Sequence, residues 1–339
     1  MSSKVHFSVI ICTHNRSSLL QQCLESLIYQ TLPSDAFEII VVDNASVDDT
    51  PRVVSEFENL NGRVHYIREE RVGLSHARNT GVAGSQGEIL VFIDDDAVAA
   101  PGWLEGFAEV YDLFGADCVG GRVVPRYEKP KPAWLDGWRL LTVVGYSDFG
   151  DQIRILDGPN AMLPGGNMSF KRKVYESIGE FDTNLGRKGR VLARGEDDDY
   201  FARVRQAGFS LWYSPEALIW HWTPAEKLSH RYFIRSFFQG AQSQAYLNPN
   251  GLRVQQAEDC IIFTCKALNR FLHNRNEAFI CFLDAAWHLG YFVGLEKQIL
   301  AKRASLWQFQ ILPLLNSPLY LARHAAAVLS RSGKREESV

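Results

Sequence analysis

Three aspartates, Asp94, Asp95 and Asp96, stand side by side directly after the apolar run Ile89 to Ile93. Adjacent carboxylates repel one another unless something positive neutralises them. A hard divalent cation with a diphosphate is the natural partner, because carboxylate oxygens hold Mg²⁺ or Mn²⁺ and the ion bridges phosphate oxygens. An acidic surface turn would look similar, but a buried strand delivering all three acids to one place favours the cation. A second acidic group, Glu196 to Asp199, follows Gly195 and precedes the apolar and aromatic spacing of a helix. Its carboxylates could do no more than complement a helix dipole. One of them could instead take a proton from an attacking hydroxyl. The segment Gly73 to Asn79 sets Arg78 and backbone donors near a helix start, which suits a phosphate. His221 lies between Trp220 and Trp222 at the end of an apolar run, where a packed core histidine is the more ordinary expectation.

The elements that must carry these residues alternate in type. Phe7 to Cys12 is an apolar, β-branched run ending at Thr13-His14-Asn15-Arg16. Leu19, Leu20, Cys23, Leu24, Leu27 and Ile28 then recur at helical spacing, with Ser17 or Ser18 placed to cap. Phe37 to Val42 reads as a second strand ending at Asp43-Asn44, and Thr50-Pro51 opens a second helix as cap and first helical residue. Val64 to Ile67 and Ile89 to Ile93 supply two more strands, with a helix near Gly73 between them. This is the pattern of an α/β domain, in which ligands bind at the carboxyl ends of parallel strands. The alternation therefore places Asn15, Asp43 and Asp94 to Asp96 along one cleft. Residues 117 to 225 mix short strands with Gly- and Pro-rich loops, and residues 226 to 339 read as mostly helical, with a turn at Asn248-Pro249-Asn250-Gly251.

Bulk properties narrow the class. With 339 residues, 46% of them hydrophobic, and a net charge of -3, the chain has a core and is neither disordered nor generally basic. The charge is uneven: residues 225 to 339 carry about 14 Lys/Arg against about 8 Asp/Glu, a tail that could face anionic lipid or simply be solvated. Six cysteines without CxxC pairing point to reduced thiols and a cytoplasmic protein. The first strand follows too soon for a signal peptide, and the apolar stretches Phe279 to Leu295 and Leu306 to Leu329 are interrupted by polar residues, which reads as buried or interfacial helix. No P-loop, dinucleotide fingerprint or HExxH motif occurs, and no basic stripe with exposed aromatics suggests a nucleic-acid partner.

In their order and spacing, SVIICTHNR (8 to 16), VVDNASVDDT (41 to 50), VGLSHARNTG (72 to 81), GEILVFIDDDA (87 to 97), GGNMSFKR (165 to 172), GEFD (179 to 182), GEDDDYFARVRQAG (195 to 208) and YSPEALIWH (213 to 221) resemble the family-2 glycosyltransferases. The likeness covers roughly residues 5 to 225. It implies a GT-A fold, a Rossmann-like mixed sheet flanked by helices, here with a helical C-terminal extension. The implied division is a catalytic domain at 1–225, with a nucleotide-binding half (1–116) and an acceptor-binding half (117–225), followed by a helical region at 226–339.

The resemblance also implies an activity and a set of roles. An inverting, metal-dependent enzyme would move a sugar from a nucleotide-sugar donor, with UDP the expected nucleotide, to a saccharide or lipid-linked acceptor. Thr13, Asn15, Arg16, Asp43 and Asn44 would line the nucleotide pocket, with Asp43 accepting from the base imide and Arg78 reaching the base or phosphates. Asp94 to Asp96 looks like the family's DXD motif, with Asp94 and Asp95 beside the nucleotide and Mn²⁺ or Mg²⁺ held by Asp96, Asp94 and His221. Either Asp95 or Asp96 could face the cation. Gly165, Gly166 and Asn167 would shape the loop between donor sugar and acceptor. Asp197 is similar to the family's catalytic base, although Glu196 or another neighbour could take that part. Apart from the resemblance, the aromatic residues Tyr232, Phe233, Phe237 and Phe238 and the stretches 287 to 295 and 307 to 321 could dock the enzyme on a partner or on a membrane, at its cytoplasmic face, or pack against the catalytic domain. A nucleotidyltransferase and a non-catalytic nucleotide-binding protein are the competing classes.

Overall fold

In the computed structural model, residues 7–158, 161–187, 195–248, 253–271 and 274–304 are described. The chain divides into two compact units, one of Met1–Val191 with Glu196–Leu228 and one of Leu192–Gly195 with Ser229–Val339.

The first unit is built on a mixed sheet. Its strands are β1 (Phe7–Thr13), β2 (Phe37–Asp43), β3 (Val64–Arg68), β4 (Ile89–Asp94), β5 (Ala97–Ala99), β6 (Cys118–Tyr127), β7 (Arg154–Ile155), β8 (Asn167–Lys171) and β9 (Leu211–Thr223). They run in the order β3-β2-β1-β4-β8-β6-β9-β5, with β7 on β9. The first four strands are parallel neighbours, which sets Thr13 opposite Asp43 and Cys12 opposite Asp94 at one edge. β8 then enters antiparallel to both β4 and β6, so the sheet is mixed.

Alternation along the central strands assigns each side chain to a face. Val9, Ile11, Val91 and Ile93 pack with α1 (Ser17–Ile28), α2 (Thr50–Leu60) and α4 (Trp103–Phe114) on one side. Ile10, Leu90 and Phe92 pack on the other with α3 (Leu74–Ala83), α6 (Arg172–Ile178) and α7 (Glu196–Gln206); α5 is the short turn Trp138–Leu141. Both faces are covered, which is why these strands read as unbroken apolar runs.

Helix starts shift slightly from expectation. Arg16, not a serine, is the N-cap residue of α1, and the Ser17 amide donates to Asp48 Oδ2 at 2.9 Å. Asp49 is the N-cap residue of α2, with Thr50 already helical.

The second unit holds α8 (His230–Leu247), α9 (Arg253–Phe271) and α10 (Arg275–Ala304). α8 and α10 cross closely at Gly290, where an added Cβ would lie 2.2 Å from the Phe238 carbonyl oxygen. Phe233 and Phe237 are buried, and Phe237 meets Trp287 edge to face. Contrary to the reading of interrupted stretches, Arg275–Gln298 is long and apolar enough to cross a membrane, although 56% of its most apolar window is buried within the protein. The stretch 307 to 321 and residues 249–251 of the expected turn lie outside the described residues.

Candidate active site

The carboxyl ends of β1 and β4 bring the acidic cluster together with its cations. Thr13 Oγ1 donates to Asp95 Oδ2 at 2.8 Å, and Arg16 Nη1 donates to Asp95 Oδ1 at 2.9 Å and Asp96 Oδ2 at 3.1 Å. Thr13 and Arg16 thus hold Asp95 and leave the other oxygen of Asp96 for a different neighbour. That neighbour is His221, which β9 delivers opposite Ala97 on β5, with Nε2 3.1 Å from Asp96 Oδ1 and 3.7 Å from Asp94 Oδ2. Asp94, Asp96 and His221 each offer a ligand atom within 4.8 Å of the others. Two carboxylates and an imidazole form a donor set that fits a divalent metal. The buried Nδ1 of His221 has no hydrogen-bond partner among the described residues, and a Cβ added at Gly145 would lie 2.9 Å from it.

Electrostatics separate the adjacent acids. Burial, reinforced by Asp96 and opposed by Arg16, pushes Asp95 up to about 6. Burial acts on Asp96 as well, but His221, Lys227 and Arg16 outweigh it and hold that carboxyl well below the usual range. Lys227 was not singled out by sequence. It lies on the short turn Ala225–Leu228 after β9, with Nζ 3.9 Å from Asp96 Oδ2, and burial draws its own value down. One lysine after a Thr-Pro turn carries no signal of its own in a single sequence.

The second acidic group faces a buried arginine. Arg78 projects from α3 and Asp197 from the first turn of α7, and Arg78 Nη1 donates to Asp197 Oδ1 at 2.5 Å and Glu196 Oε1 at 3.4 Å. Arg78 Nη2 donates to the Gly165 carbonyl at 3.2 Å, and the guanidinium lies over the Phe181 ring at 5.2 Å. Arg78 was expected to reach base or phosphate, yet here it is committed to the carboxylate pair. Burial first, then the charge of Asp197, pushes Glu196 up to about 7 against the pull of Arg78. Glu196 is buried, whereas the Asp197 side chain is 24% exposed, so Asp197 is the more accessible of the two carboxylates.

Gly165 and Gly166 lie between the two acidic groups. A Cβ on Gly165 would sit 1.8 Å from Asp197 Oδ2, and one on Gly166 would sit 2.2 Å from Asp94 Oδ2. Consecutive residues therefore touch both clusters, and only glycine leaves room. Asn167, next in line, is fully buried: it accepts from Trp103 Nε1 at 2.8 Å and donates to the carbonyls of Arg122 at 3.0 Å and Ala217 at 2.8 Å. Its side chain pins β8 to α4, β6 and β9, and it reaches the loop only through that anchorage.

The remaining expected residues are engaged in loop structure. Asp43 is closed to solvent, with Oδ1 accepting from the Ser46 amide at 2.8 Å and Oδ2 from Tyr66 Oη at 2.7 Å and Arg68 Nη1 at 3.0 Å. Asn44 accepts from the Gly73 amide at 2.7 Å and donates to the Arg71 carbonyl at 2.8 Å. Asn15, held at a positive φ of 55°, accepts from the Val47 amide at 2.8 Å. Asn15 and Asn44 thus tie together the loops after β1, β2 and β3.

Comparison with known proteins identifies the family and the fold. Residues 8–179 match the family described as glycosyl transferase family 2. The glucosyl-dolichyl phosphate glucuronosyltransferase of Haloferax volcanii is 29% identical over 238 residues, which is 69% of this chain and 74% of that protein. Glycosyltransferase AglE of the same organism is 30% identical over 224 residues, covering 65% and 68%. The succinoglycan biosynthesis protein ExoM of Rhizobium meliloti is 28% identical over 258 residues, covering 74% and 78%. Among solved structures, the mannosyltransferase PcManGT of Pyrobaculum calidifontis, in complex with GDP-Man and Mn²⁺, superposes with a TM-score of 0.56 at 22% identity over 96% of this chain and 87% of that one. The fold is thus the expected GT-A arrangement, and the chain belongs to glycosyl transferase family 2.

Proposed function

We propose that this chain is an inverting glycosyltransferase that moves a sugar from a nucleoside-diphosphate sugar to an acceptor hydroxyl, with Asp197 as general base. The observation that carries the reading is the Gly165-Gly166 pair, whose two adjoining residues lie against the carboxylates of Asp197 and Asp94 respectively. A base and a diphosphate-side carboxylate so placed can flank a single donor sugar. The acceptor oxygen attacks the anomeric carbon from the face opposite the diphosphate, and its proton passes to an Asp197 carboxylate oxygen. The bond from the anomeric carbon to the diphosphate oxygen breaks, and its electron pair leaves with the nucleoside diphosphate. Arg78 aims Asp197 and, through Gly165, fixes the loop it faces.

Asp94, Asp96 and His221 would hold Mn²⁺ or Mg²⁺, with the imidazole favouring Mn²⁺, and such a cation supplies Lewis-acid neutralisation of the diphosphate. The Mn²⁺ named in the complex of the Pyrobaculum calidifontis enzyme supports this choice. Thr13 and Arg16 orient Asp95 and Asp96 beside it, and Asn15, Asp43 and Asn44 shape the nucleotide pocket. We assign the catalytic domain to 1–225, with halves at 1–116 and 117–225, and the helical region to 226–339.

For substrates, we infer a UDP-sugar and a saccharide or lipid-linked acceptor in polysaccharide or glycolipid assembly. The dolichyl phosphate in the name of the Haloferax volcanii relative supports a lipid-linked acceptor. We place the enzyme at the cytoplasmic face of a membrane, a reading for which the apolar length of α10 offers only compositional support. The test is a transfer assay with UDP-, GDP- and dTDP-sugars against polyprenyl-phosphate-linked and free saccharides, read by product mass. One added hexose residue on an acceptor is expected; nucleotidyl addition to a sugar phosphate would overturn the reading.

A further inference from the structure

Lys227 is a buried cation that the proposed mechanism does not use. Its side chain is 9% exposed, and the ammonium faces Asp96 Oδ2 at 3.9 Å. That oxygen already has a closer cation, because Arg16 Nη1 donates to it at 3.1 Å, while Oδ1 of the same carboxylate faces His221. Removing an ammonium from water is costly, and a 3.9 Å contact with a carboxylate already paired elsewhere offsets little of that cost. Charge counting gives Lys227 a purpose. Asp94, Asp95 and Asp96 against Arg16 and Lys227 leave one negative charge, so binding a divalent cation makes the cluster positive by one. Without Lys227 the loaded cluster would be neutral overall, and the cation alone would have to neutralise the diphosphate. An ammonium also offers three freely rotating donors on a compact charge, which suits phosphate oxygens.

We propose that Lys227 binds the diphosphate of the donor, beside the cation site, and stays with it as the leaving group departs. This rests on the nucleotide-sugar reading given above. The assignment is tested by titration calorimetry on the full chain with Mn²⁺, using UDP, GDP and the matching monophosphates, on wild type, Lys227→Met and Lys227→Arg. The Met variant is expected to bind the nucleoside diphosphate about ten- to a hundredfold more weakly. The monophosphate should lose less than about threefold, and the Arg variant should recover most of the affinity. Binding of Mn²⁺ alone, read by electron paramagnetic resonance of the free ion, should hold or tighten in the Met variant, because a positive charge beside Asp96 is removed. Equal loss of monophosphate, diphosphate and Mn²⁺ binding would overturn the proposal and make Lys227 a prop for Asp96. Unchanged diphosphate affinity would overturn it outright. Should the Met variant fail to fold, Lys227→Gln provides the uncharged comparison. Wild type that binds no nucleoside diphosphate would instead overturn the nucleotide-sugar reading on which the assignment stands.

Discussion

Gly165 and Asp197 approach so closely that a Cβ on the glycine would sit 1.8 Å from Oδ2 of the aspartate and 2.5 Å from its Cγ. The Asp197 carboxylate has Arg78 on one oxygen and this glycine against the other. Gly165→Ala should therefore displace the carboxylate without creating a cavity. Misplacing a reacting group by about 1 Å costs roughly a hundredfold in rate. The expected result is a fall in kcat of about that size, with nucleoside diphosphate affinity within about threefold of wild type. An unchanged kcat would remove Asp197 from the chemistry.

Asp197→Asn keeps the shape but cannot accept the proton. Transfer should fall by about 10²- to 10⁴-fold while nucleotide and Mn²⁺ affinity persist. Steady-state kinetics beside calorimetric binding separates the two, and parallel loss of both would mean that the residue is structural.

Glu196 predicts a pH dependence of stability. Burial and the neighbouring Asp197 push it up to about 7 from an ordinary 4.5, so the native state keeps a proton that the unfolded chain has released. Its contribution to stability therefore falls as pH rises through that window. Glu196→Gln keeps the neutral shape, and its stability relative to wild type should improve between pH 5 and pH 8 by on the order of 1–3 kcal/mol. Denaturant melts at the two pH values measure this, and a constant difference would contradict it.

Asn167 is expected to matter for folding before it matters for catalysis. Asn167→Ala strands the Trp103 indole N–H and the carbonyls of Arg122 and Ala217, each left buried or half-buried. The cost should be about 2–4 kcal/mol, read as a lowered denaturation midpoint. A variant as stable as wild type would show that the clamp contributes nothing.

Which parts of this arrangement could be read from sequence follows from the range of the interactions. β1, β2 and β4 are buried on both faces, so Phe7 to Cys12, Phe37 to Val42 and Ile89 to Ile93 stand out as apolar runs, and the acids at their ends are visible with them. The three-residue β5 gave no such signal, because its pairing with β9 depends on a register more than 100 residues away. The same distance hides the commitment of Arg78 to Asp197 and the approach of Lys227 to Asp96, and the closure of Asp43 by Tyr66 and Arg68 joins neighbouring strands some 25 residues apart. Residue type alone marked Asp95 and Asp96 as equivalent. Only the positions of Thr13, Arg16 and His221 turn them toward different partners. For α10, counting polar interruptions understated a helix whose mean hydropathy over a full span is high.

Everything proposed for the reaction rests on the Asp94-Asp96-His221 cluster holding a cation on which a nucleotide-sugar is consumed. The most direct measurement is the release of free nucleoside diphosphate from a panel of UDP-, GDP- and dTDP-sugars, with and without Mn²⁺, in the presence of a mixed saccharide and lipid-linked acceptor pool. The account predicts Mn²⁺-dependent release from one or two donors, abolished by Asp96→Ala. Release that is indifferent to Mn²⁺ and to that substitution would contradict it.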